Sequence, residues 1–333
     1  MHGMHYQPAL AALAVSLACL WVLLSPFGRR LMLDRPNARS LHDRPVPRSG
    51  GIAIAAGTAA GAAANAAAPG ALGIVLIAAA VLVVVSLLDD VLTLPTLLRL
   101  AAHLAAAGAV LLFSIGGVGP AAAVLLILAI GWSANLYNFM DGSDGLAAGM
   151  AVFGFGGYAL AAQQAGDAPL AGLSASIAAA SGAFLVFNFP PARIFMGDAG
   201  SVPLGFLAGA LGVLGWHGGA WPLWFPMLVF APFACDATLT LIKRLLRRER
   251  VWQAHREHYY QRLVRMGFGH RGTALIEYAA MAGCAATALL AREASSAFQI
   301  GAVGAATLVL IAIALWIDAR WARFSRESGG APA

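Results

Sequence analysis

Eleven apolar runs, each about as long as a membrane-spanning helix, set the strongest limit on how this chain can fold. A helix needs roughly 20 mainly apolar residues to cross a bilayer. Hydrophobic residues make up 60% of the chain and charged residues 11%. The runs lie near 7–27, 50–68, 71–88, 97–114, 120–137, 145–162, 169–188, 200–217, 221–242, 273–292 and 296–317. We therefore predict an all-α integral membrane protein in which residues 1–333 form one domain of about eleven transmembrane helices.

The basic residues predict the orientation of these helices, because Lys and Arg collect on the cytoplasmic side of membrane proteins. With the first loop placed inside, 20 of the 21 Lys and Arg residues fall in or beside cytoplasmic segments, and Arg292 is the exception. The N-terminus is then outside and the C-terminus inside. The cytoplasmic loops are 28–49, 89–96, 138–144, 189–199 and 243–272. The polar clusters of the chain share this face, which favours one site assembled from several loops.

The stretch from Asn135 to Ala147 carries an unusual number of polar side chains between two apolar runs. It contains Asn135, Asn138, Asp141 and Asp144. Burying such groups is costly unless they meet a cation or hydrogen-bond partners, so they indicate chemistry. An EF-hand calcium site is not indicated, because the full loop pattern with its final Glu is missing.

Two other clusters supply carboxylates. Asp89 and Asp90 are adjacent and have no basic neighbour in sequence, which favours a divalent cation between them or exposure to water at a helix end. Asp198 lies between Gly197 and Gly200 at a break between two runs, where glycines let backbone amides approach a phosphate. Asp198 is the one carboxylate of that segment, so it can take a metal without competition.

The loop at 34–51 contains the phosphate-contact candidates Arg39, His42 and Arg48, with the alternative that it is an ordinary positive-inside anchor. Its three prolines and closing glycine pair predict an ordered, extended segment.

The basic stretch 243–272 is predicted as an interfacial helix with His255 and His258 on one face, suited to phosphate or metal, or simply to solvent. Asp236, inside the ninth run, either supports the site or is a buried, hydrogen-bonded carboxylate. The excess positive charge suits anionic lipids or phosphorylated substrates. No soluble nucleic-acid-reading module is present, so we expect no nucleic-acid partner.

Four motifs follow one another along the chain: Asp89-Asp90, Asn135-x-x-Asn138-Phe139-Met140-Asp141-Gly142-x-Asp144-Gly145-Leu146-Ala147, Asn188-x-x-Pro191-Ala192-x-Ile194-Phe195-Met196-Gly197-Asp198-x-Gly200-Ser201 and His255-x-x-His258. They resemble the motifs of the polyprenyl-phosphate N-acetylhexosamine-1-phosphate transferases, glycosyltransferase family 4. The resemblance covers about residues 28–265 and implies an enzyme of the inner (cytoplasmic) membrane. Its implied reaction converts a UDP-N-acetylhexosamine and undecaprenyl phosphate into a sugar-diphospho-lipid and UMP, with Mg²⁺, or alternatively Mn²⁺, as cofactor.

The resemblance also implies roles for individual residues. Asp198 would be a magnesium ligand, and Asp89 and Asp90 would serve the metal or the lipid phosphate. Asn138 and Asp141 would contact the nucleotide sugar. Asp144 would bind the uracil, with Phe195 stacked on it, and the pair His255 and His258 would lie by the diphosphate. A homodimer is left open.

The eleven runs and the loop at 34–51 are more similar to WecA-type GlcNAc-1-phosphate transferases than to MraY-type phospho-N-acetylmuramoyl-pentapeptide transferases, which are the alternative. The His255-x-x-His258 segment departs from the His-x-His-His form common in WecA-type members and resembles members that act in O-antigen or exopolysaccharide pathways, so the sugar stays open. We expect one-step transfer in which Asp89 positions or deprotonates the lipid phosphate. An ion-coupled transporter and a membrane prenyltransferase are the more remote alternatives.

Overall fold

The computed structural model describes residues 6–28, 32–34, 45–65, 70–250 and 255–327. These segments contain thirteen α-helices, one π-helical turn at Val264–Phe268 and two short strands. The first helices are α1 (Gln7–Leu23), α2 (Gly50–Ala64), α3 (Ala71–Leu92), α4 (Thr96–Ser114), α5 (Pro120–Phe139), α6 (Leu146–Gln164) and α7 (Ala168–Asn188). The others are α8 (Asp198–His217), α9 (Trp224–Val229), α10 (Ala231–Leu246), α11 (Tyr259–Leu263), α12 (Gly269–Ala291) and α13 (Ser296–Glu327). Strands β1 (Leu33–Asp34) and β2 (Val46–Pro47) pair antiparallel.

The described helices confirm an all-α integral membrane protein. Eight helical segments are long and apolar enough to cross a bilayer: α3 to α8, the segment Tyr259–Ala291 that ends with α12, and α13. The predicted runs at 7–27 and 50–68 form the shorter apolar helices α1 and α2.

The ninth predicted run, 221–242, is not one helix. Helix α9 ends at Val229, and α10 begins at Ala231 with Pro232 in its first turn. A proline has no N–H for the preceding turn, and its ring clashes with the backbone there, so the helix breaks at this point. Helix α10 continues past the predicted end and carries Lys243 and Arg244 in its last turn.

The prediction of one interfacial helix across 243–272 was wrong. In the described part of this stretch, residues 247–250 and 255–258 are not helical. The five-residue helix α11 follows and passes into the π-helical turn, where Gly267 has φ +96°. Apolar residues of this stretch therefore belong to a short helix and a π-helical turn that directly precede α12.

Helix α8 lies at the centre of the bundle and packs against α5, α3 and α2. Most of its residues are buried. Small residues let the neighbours approach closely, as is usual between membrane helices. A Cβ on Gly205 would lie 2.5 Å from the Ser133 carbonyl oxygen on α5. This central helix begins at Asp198, so its packing fixes the position of one of the predicted site carboxylates.

Candidate active site

Arg48 joins two carboxylates that lie far apart in sequence. Its Nη2 donates a short hydrogen bond to Asp198 Oδ1, and its Nη1 lies 3.4 Å from Asp90 Oδ1. The side chains of Asp90 and Asp198 are 10% and 16% exposed. The two carboxylates predicted for the site, Asp90 and Asp198, therefore both pair with the guanidinium of Arg48.

The backbone around Arg48 is held by the segment that carries Phe195 and Gly197. The Phe195 amide donates to the Pro47 carbonyl at 2.7 Å, and the Gly50 amide donates to the Phe195 carbonyl at 2.9 Å. Gly197 has φ +71°, and a Cβ there would lie 2.9 Å from Arg48 Cγ. A side chain at Gly197 would therefore be strained and would displace the arginine. The predicted extended segment is confirmed at Val46–Pro47, which form β2, whereas His42 and Arg39 lie outside the described residues.

Asp89 faces a different partner from Asp90. Arg99 Nη1 donates to Asp89 Oδ2 at 2.9 Å, and the Leu94 amide donates to Asp89 Oδ1 at 2.7 Å. These bonds tie the end of α3 to the start of α4. The structure therefore brings Asp90, rather than Asp89, to Arg48 and Asp198.

Asp141 lies in the loop between α5 and α6, close enough to this group to interact with it electrostatically. Burial raises the pKa of Asp141 to about 8, while Arg48 and a hydrogen bond from the Gly197 backbone act in the opposite direction. Ser201 Oγ donates to Asn138 Oδ1 at 2.7 Å, which joins the end of α5 to the first turn of α8. Asn138, Asp141, Asp198 and Arg48 thus lie in one neighbourhood.

Asn135 lies one turn earlier on α5 and contacts other groups. Its Nδ2 donates to the Gly131 carbonyl at 2.9 Å and lies 3.2 Å from His103 Nδ1. His103 is 6% exposed, as expected for a hydrogen-bonded helix residue rather than a ligand. Asn135 therefore joins α4 to α5 through this contact.

Asp144 is bound to the segment that carries Phe195. The Ala192 amide donates to Asp144 Oδ2 at 2.9 Å. Asn188 strengthens the same connection, because its Oδ1 accepts from the Gly145 amide and its Nδ2 donates to the Ile194 carbonyl, each at 2.9 Å. The loop between α5 and α6 and the segment between α7 and α8 are thus joined into one wall of the site, on which Phe195 is partly exposed.

The two motif histidines lie beside each other although they are not on one helix. Their ring centroids are 4.8 Å apart. The ring of Phe139, two residues before Asp141, stacks on His258 with centroids 6.4 Å apart. The pair therefore lies next to the α5–α6 loop.

Asp236 fixes His258 and the start of α11. Its Oδ1 lies 3.0 Å from His258 Nδ1 and accepts from the Tyr259 amide, while its Oδ2 accepts from the Tyr260 amide, both at 3.0 Å. A carboxylate partner at Nδ1 fixes the orientation of the ring and leaves Nε2 as the nitrogen that is free to face a ligand. Asp236 is thus both a buried, hydrogen-bonded carboxylate and a support for the histidine pair.

His255 is neutral at physiological pH. Burial lowers its pKa to about 4, and the positive charges of His258 and Arg244 act in the same direction. A neutral imidazole contacts a phosphate as a hydrogen-bond donor and not as a cation.

The carboxylates of this site suit a hard divalent cation. Within the described part of the chain, no three acidic, His or Cys side chains are already grouped as a metal site. Asp90 Oδ2 is buried, and among the described residues no donor contacts it. An unpaired carboxylate oxygen next to Asp198, with Asp141 nearby, is the oxygen donor set that Mg²⁺ prefers.

Several residues of the site carry little signal in the sequence. Ser143 Oγ lies 2.9 Å from His270 Nδ1, and that nitrogen is 3.9 Å from Asp144 Oδ1. Arg99 and Ser201 bind their partners from other helices. Nothing in local spacing connects His270, the second residue of α12, to residue 144. The one hint in the sequence is that His270 belongs to the stretch 243–272, which was predicted to lie on the same face as the loop 138–144.

Comparison with known proteins relates the chain to one family. The family model described as glycosyl transferase family 4 matches residues 72–215. The chain is 30% identical over 329 residues to the decaprenyl-phosphate N-acetylglucosaminephosphotransferase of Mycobacterium tuberculosis H37Rv, covering 82% of this chain and 81% of that protein. It is 29% identical over 280 residues to a probable undecaprenyl-phosphate N-acetylglucosaminyl 1-phosphate transferase of Bacillus subtilis, covering 77% and 78%.

A shorter match is closer in identity. A phospho-N-acetylmuramoyl-pentapeptide-transferase of Geobacillus kaustophilus is 42% identical over 97 residues, which cover 29% of this chain and 30% of that protein. The long matches and the family model lead to the same assignment: the chain is a member of glycosyl transferase family 4.

Proposed function

We propose that this protein transfers N-acetylglucosamine 1-phosphate, or a related N-acetylhexosamine 1-phosphate, from a UDP-sugar to undecaprenyl phosphate and releases UMP. An oxygen of the lipid phosphate attacks the β-phosphorus of the donor. The bond from that phosphorus to the bridging oxygen breaks, and the electron pair leaves with UMP. The product is a sugar-diphospho-lipid that starts a cell-envelope glycan such as O-antigen or exopolysaccharide.

The observation that carries this proposal is the meeting of Arg48, Asp90 and Asp198 at one end of an apolar bundle. The reaction brings two anions together, so the site must neutralise charge and align the phosphates. A guanidinium can bind phosphate oxygens in a forked geometry. Arg48 is 37% exposed and therefore accessible to such a ligand.

The two loops joined through Asp144 and Asn188 supply the donor side of the site. Phe195 is partly exposed on the same segment whose Ala192 amide binds Asp144. An aromatic ring beside a carboxylate suits a uracil, which can stack on the ring and donate its N–H. Asn138 and Asp141 lie in the same neighbourhood as Asp198, and we assign them to contacts with the sugar diphosphate.

Mg²⁺ held by Asp90 and Asp198 would neutralise phosphate charge during transfer. Asp89 pairs with Arg99 and so connects the end of α3 to the start of α4. We therefore assign it to positioning the end of α3 rather than to metal binding. A phosphate monoester is largely dianionic near neutral pH. Strong base catalysis is therefore unnecessary, and a direct one-step transfer accounts for the arrangement. His258, held by Asp236, is assigned to hydrogen bonding of the diphosphate.

We further propose that the site faces the cytoplasm of the inner membrane, with the N-terminus outside. The positive-inside distribution supports this orientation. Fluorescence of a green fluorescent protein fused after Ala333 tests it, since that protein folds poorly when exported through the general secretory route.

The direct test is UMP release by purified protein in detergent, with UDP-N-acetylglucosamine, undecaprenyl phosphate and Mg²⁺. We expect turnover that EDTA abolishes and Mg²⁺ restores. UDP-N-acetylmuramoyl-pentapeptide and other UDP-N-acetylhexosamines are compared in parallel, because the MraY-type relative is the second candidate. Release of UMP without any acceptor lipid, or no turnover with any donor, would contradict the proposal.

A further inference from the structure

Helix α12 contacts the turn that carries Asp144 at three successive residues. The Asp144 amide donates to His270 Nδ1 at 3.3 Å, and Ser143 Oγ lies 2.9 Å from the same nitrogen. Tyr278 Oη donates to the Gly145 carbonyl at 2.7 Å. Because a backbone N–H can only donate, His270 Nδ1 acts as an acceptor in this contact. One helix therefore holds the whole turn from Ser143 to Gly145.

His270 and Tyr278 reach this turn from the same side of α12. They are eight residues apart, a spacing that places side chains on one face of a helix. The helix begins at Gly269, so His270 belongs to its first turn. Long side chains on a helix point back toward its N-terminus, which lets Tyr278 meet the same turn as His270.

The surroundings of Tyr278 leave its ring little room to move. Gly145 has φ +76°, and a Cβ there would lie 2.9 Å from Tyr278 Oη. In the first turn of α6, a Cβ on Gly149 would lie 2.0 Å from Tyr278 Cε1. The ring also contacts the ring of Phe153, with centroids 5.7 Å apart. Helix α6 therefore fixes the tyrosine whose hydroxyl holds the turn.

Asp144 is consequently held from two directions. Its Oδ2 accepts from the Ala192 amide of the segment between α7 and α8, while its own amide is bound to α12. Its Oδ1 lies 3.9 Å from His270 Nδ1, which is beyond hydrogen-bond distance. The side chain is 13% exposed. A carboxylate held in this way has little freedom to turn toward a differently placed donor.

We propose that His270 and Tyr278 are positioning residues that make the donor site selective for uracil. The inference rests on the proposed function, which assigns the uracil to Asp144 and Phe195. Uracil carries a proton on N3 that a carboxylate can accept. Cytosine has a lone pair at N3 and carries its donor on the neighbouring exocyclic amine. A fixed Asp144 therefore repels cytosine at N3, whereas an Asp144 that is free to turn can accept from the amine instead.

Three substitutions separate these hydrogen bonds from the packing around them. His270→Leu removes the acceptor, whereas His270→Asn keeps an acceptor oxygen close to the position of Nδ1. Tyr278→Phe removes the hydroxyl and keeps the ring. Tyr158→Phe is the matched control in the later half of α6, because Tyr158 Oη also donates to a backbone carbonyl, that of Ala208, at 3.0 Å.

Calorimetric titration of the purified protein with UMP and with CMP measures the selectivity without turnover. We expect His270→Leu to weaken UMP binding about tenfold and CMP binding much less, so the ratio of the two dissociation constants changes. Tyr278→Phe should act in the same direction by a smaller factor. His270→Asn should restore the wild-type ratio, and Tyr158→Phe should keep it even if its unfolding temperature falls.

Hydrogen exchange of peptides that cover residues 140–146 reports the positioning itself, in the absence of nucleotide. We expect faster exchange in His270→Leu and Tyr278→Phe, because each variant loses a bond that holds the turn. Exchange in His270→Asn and Tyr158→Phe should match the wild type. Equal exchange in all five proteins would overturn the inference.

These measurements separate the inference from the proposed function. If the wild type releases UMP from the UDP-sugar but His270→Leu keeps the wild-type ratio of UMP to CMP binding, the inference fails and the proposed function stands. The same holds if UMP and CMP binding weaken equally, which is the result expected of a merely structural role. If the wild type neither binds nor releases UMP, the proposed function fails, and the inference fails with it.

Discussion

At the scale of single residues, Asp144 combines a structural contact with a proposed contact to uracil. Asp144→Asn keeps an oxygen that can accept from the Ala192 amide but removes the charge. A hydrogen bond to a charged group contributes roughly 1.5–3 kcal/mol, so we expect the KM for the UDP-sugar to rise about tenfold or more. The Mg²⁺ concentration for half-maximal rate should not change.

The matched control for Asp144 is Asp167→Asn. Asp167 also accepts one backbone hydrogen bond, from the Leu170 amide, but does so at the start of α7, beyond the far end of α6. Steady-state kinetics with varied UDP-sugar and varied Mg²⁺ measure both effects. A shifted Mg²⁺ requirement with an unchanged KM would make Asp144 a metal residue instead.

His255 predicts a dependence of stability on pH. Its pKa falls from the ordinary value of 6.5 to about 4 on folding, so the unfolded chain binds a proton more readily than the folded protein. The free energy of unfolding that this pKa difference contributes is fully present above pH 6.5 and is lost as the pH falls toward 4. His255→Gln should therefore lose less thermal stability than the wild type between these pH values.

Thermal unfolding in detergent at a series of pH values measures this difference. His217→Gln, at the exposed end of α8, serves as the control and should follow the wild-type curve. Equal losses in the wild type and His255→Gln would count against a buried, neutral imidazole at this position.

The acidic pair at the end of α3 shows what the sequence could and could not predict about individual residues of the site. The sequence identified Asp89 and Asp90 together, but neighbouring positions on a helix point about 100° apart. One carboxylate therefore meets Arg99 and the other meets Arg48. Which of the two faces the site depends on the packing of α3 against α8, and this is not encoded in local spacing.

At the scale of helices, close packing of α2 on α8 positions the site. The Gly51 amide donates to the Met196 carbonyl, and a Cβ on Gly51 would lie 2.3 Å from the Gly200 nitrogen. Gly51→Ala must shift one backbone, and such overpacking costs about 1–3 kcal/mol. We expect a lower unfolding temperature and a lower rate of UMP release.

Gly156→Ala is the matched control, because a Cβ at Gly156 on α6 meets open space. It should keep the wild-type unfolding temperature or raise it slightly, as alanine favours the helix. If Gly51→Ala behaves like this control in differential scanning fluorimetry, the close approach of α2 and α8 is not required.

Helices were predictable where apolar runs were long and uninterrupted, as for α3 to α8. The prediction failed where prolines and short amphipathic segments decide the path. Pro232 divides the ninth run, and the interfacial helix expected around His255 is instead a loop held by Asp236. A buried carboxylate that accepts backbone hydrogen bonds from another segment is a tertiary contact, which periodicity does not reveal.

At the scale of the whole molecule, loops that are distant in sequence meet at one end of the bundle. The charge distribution predicted this common face, and the contacts among Arg48, Asp90 and Asp198 bring three of its segments together. The order of the contacts within the site depends on how the helices pack around α8. It became visible only in three dimensions.

The central claim is that this chain moves a sugar together with its phosphate to the lipid. UDP-N-acetylglucosamine labelled with ³²P at the β-phosphorus tests it most directly, with undecaprenyl phosphate as acceptor and Asp198→Asn as the inactive comparison. We predict that the label enters the lipid product, that the released UMP is unlabelled, and that Asp198→Asn transfers none. Label retained in a released nucleotide diphosphate, with sugar alone on the lipid, would contradict the account.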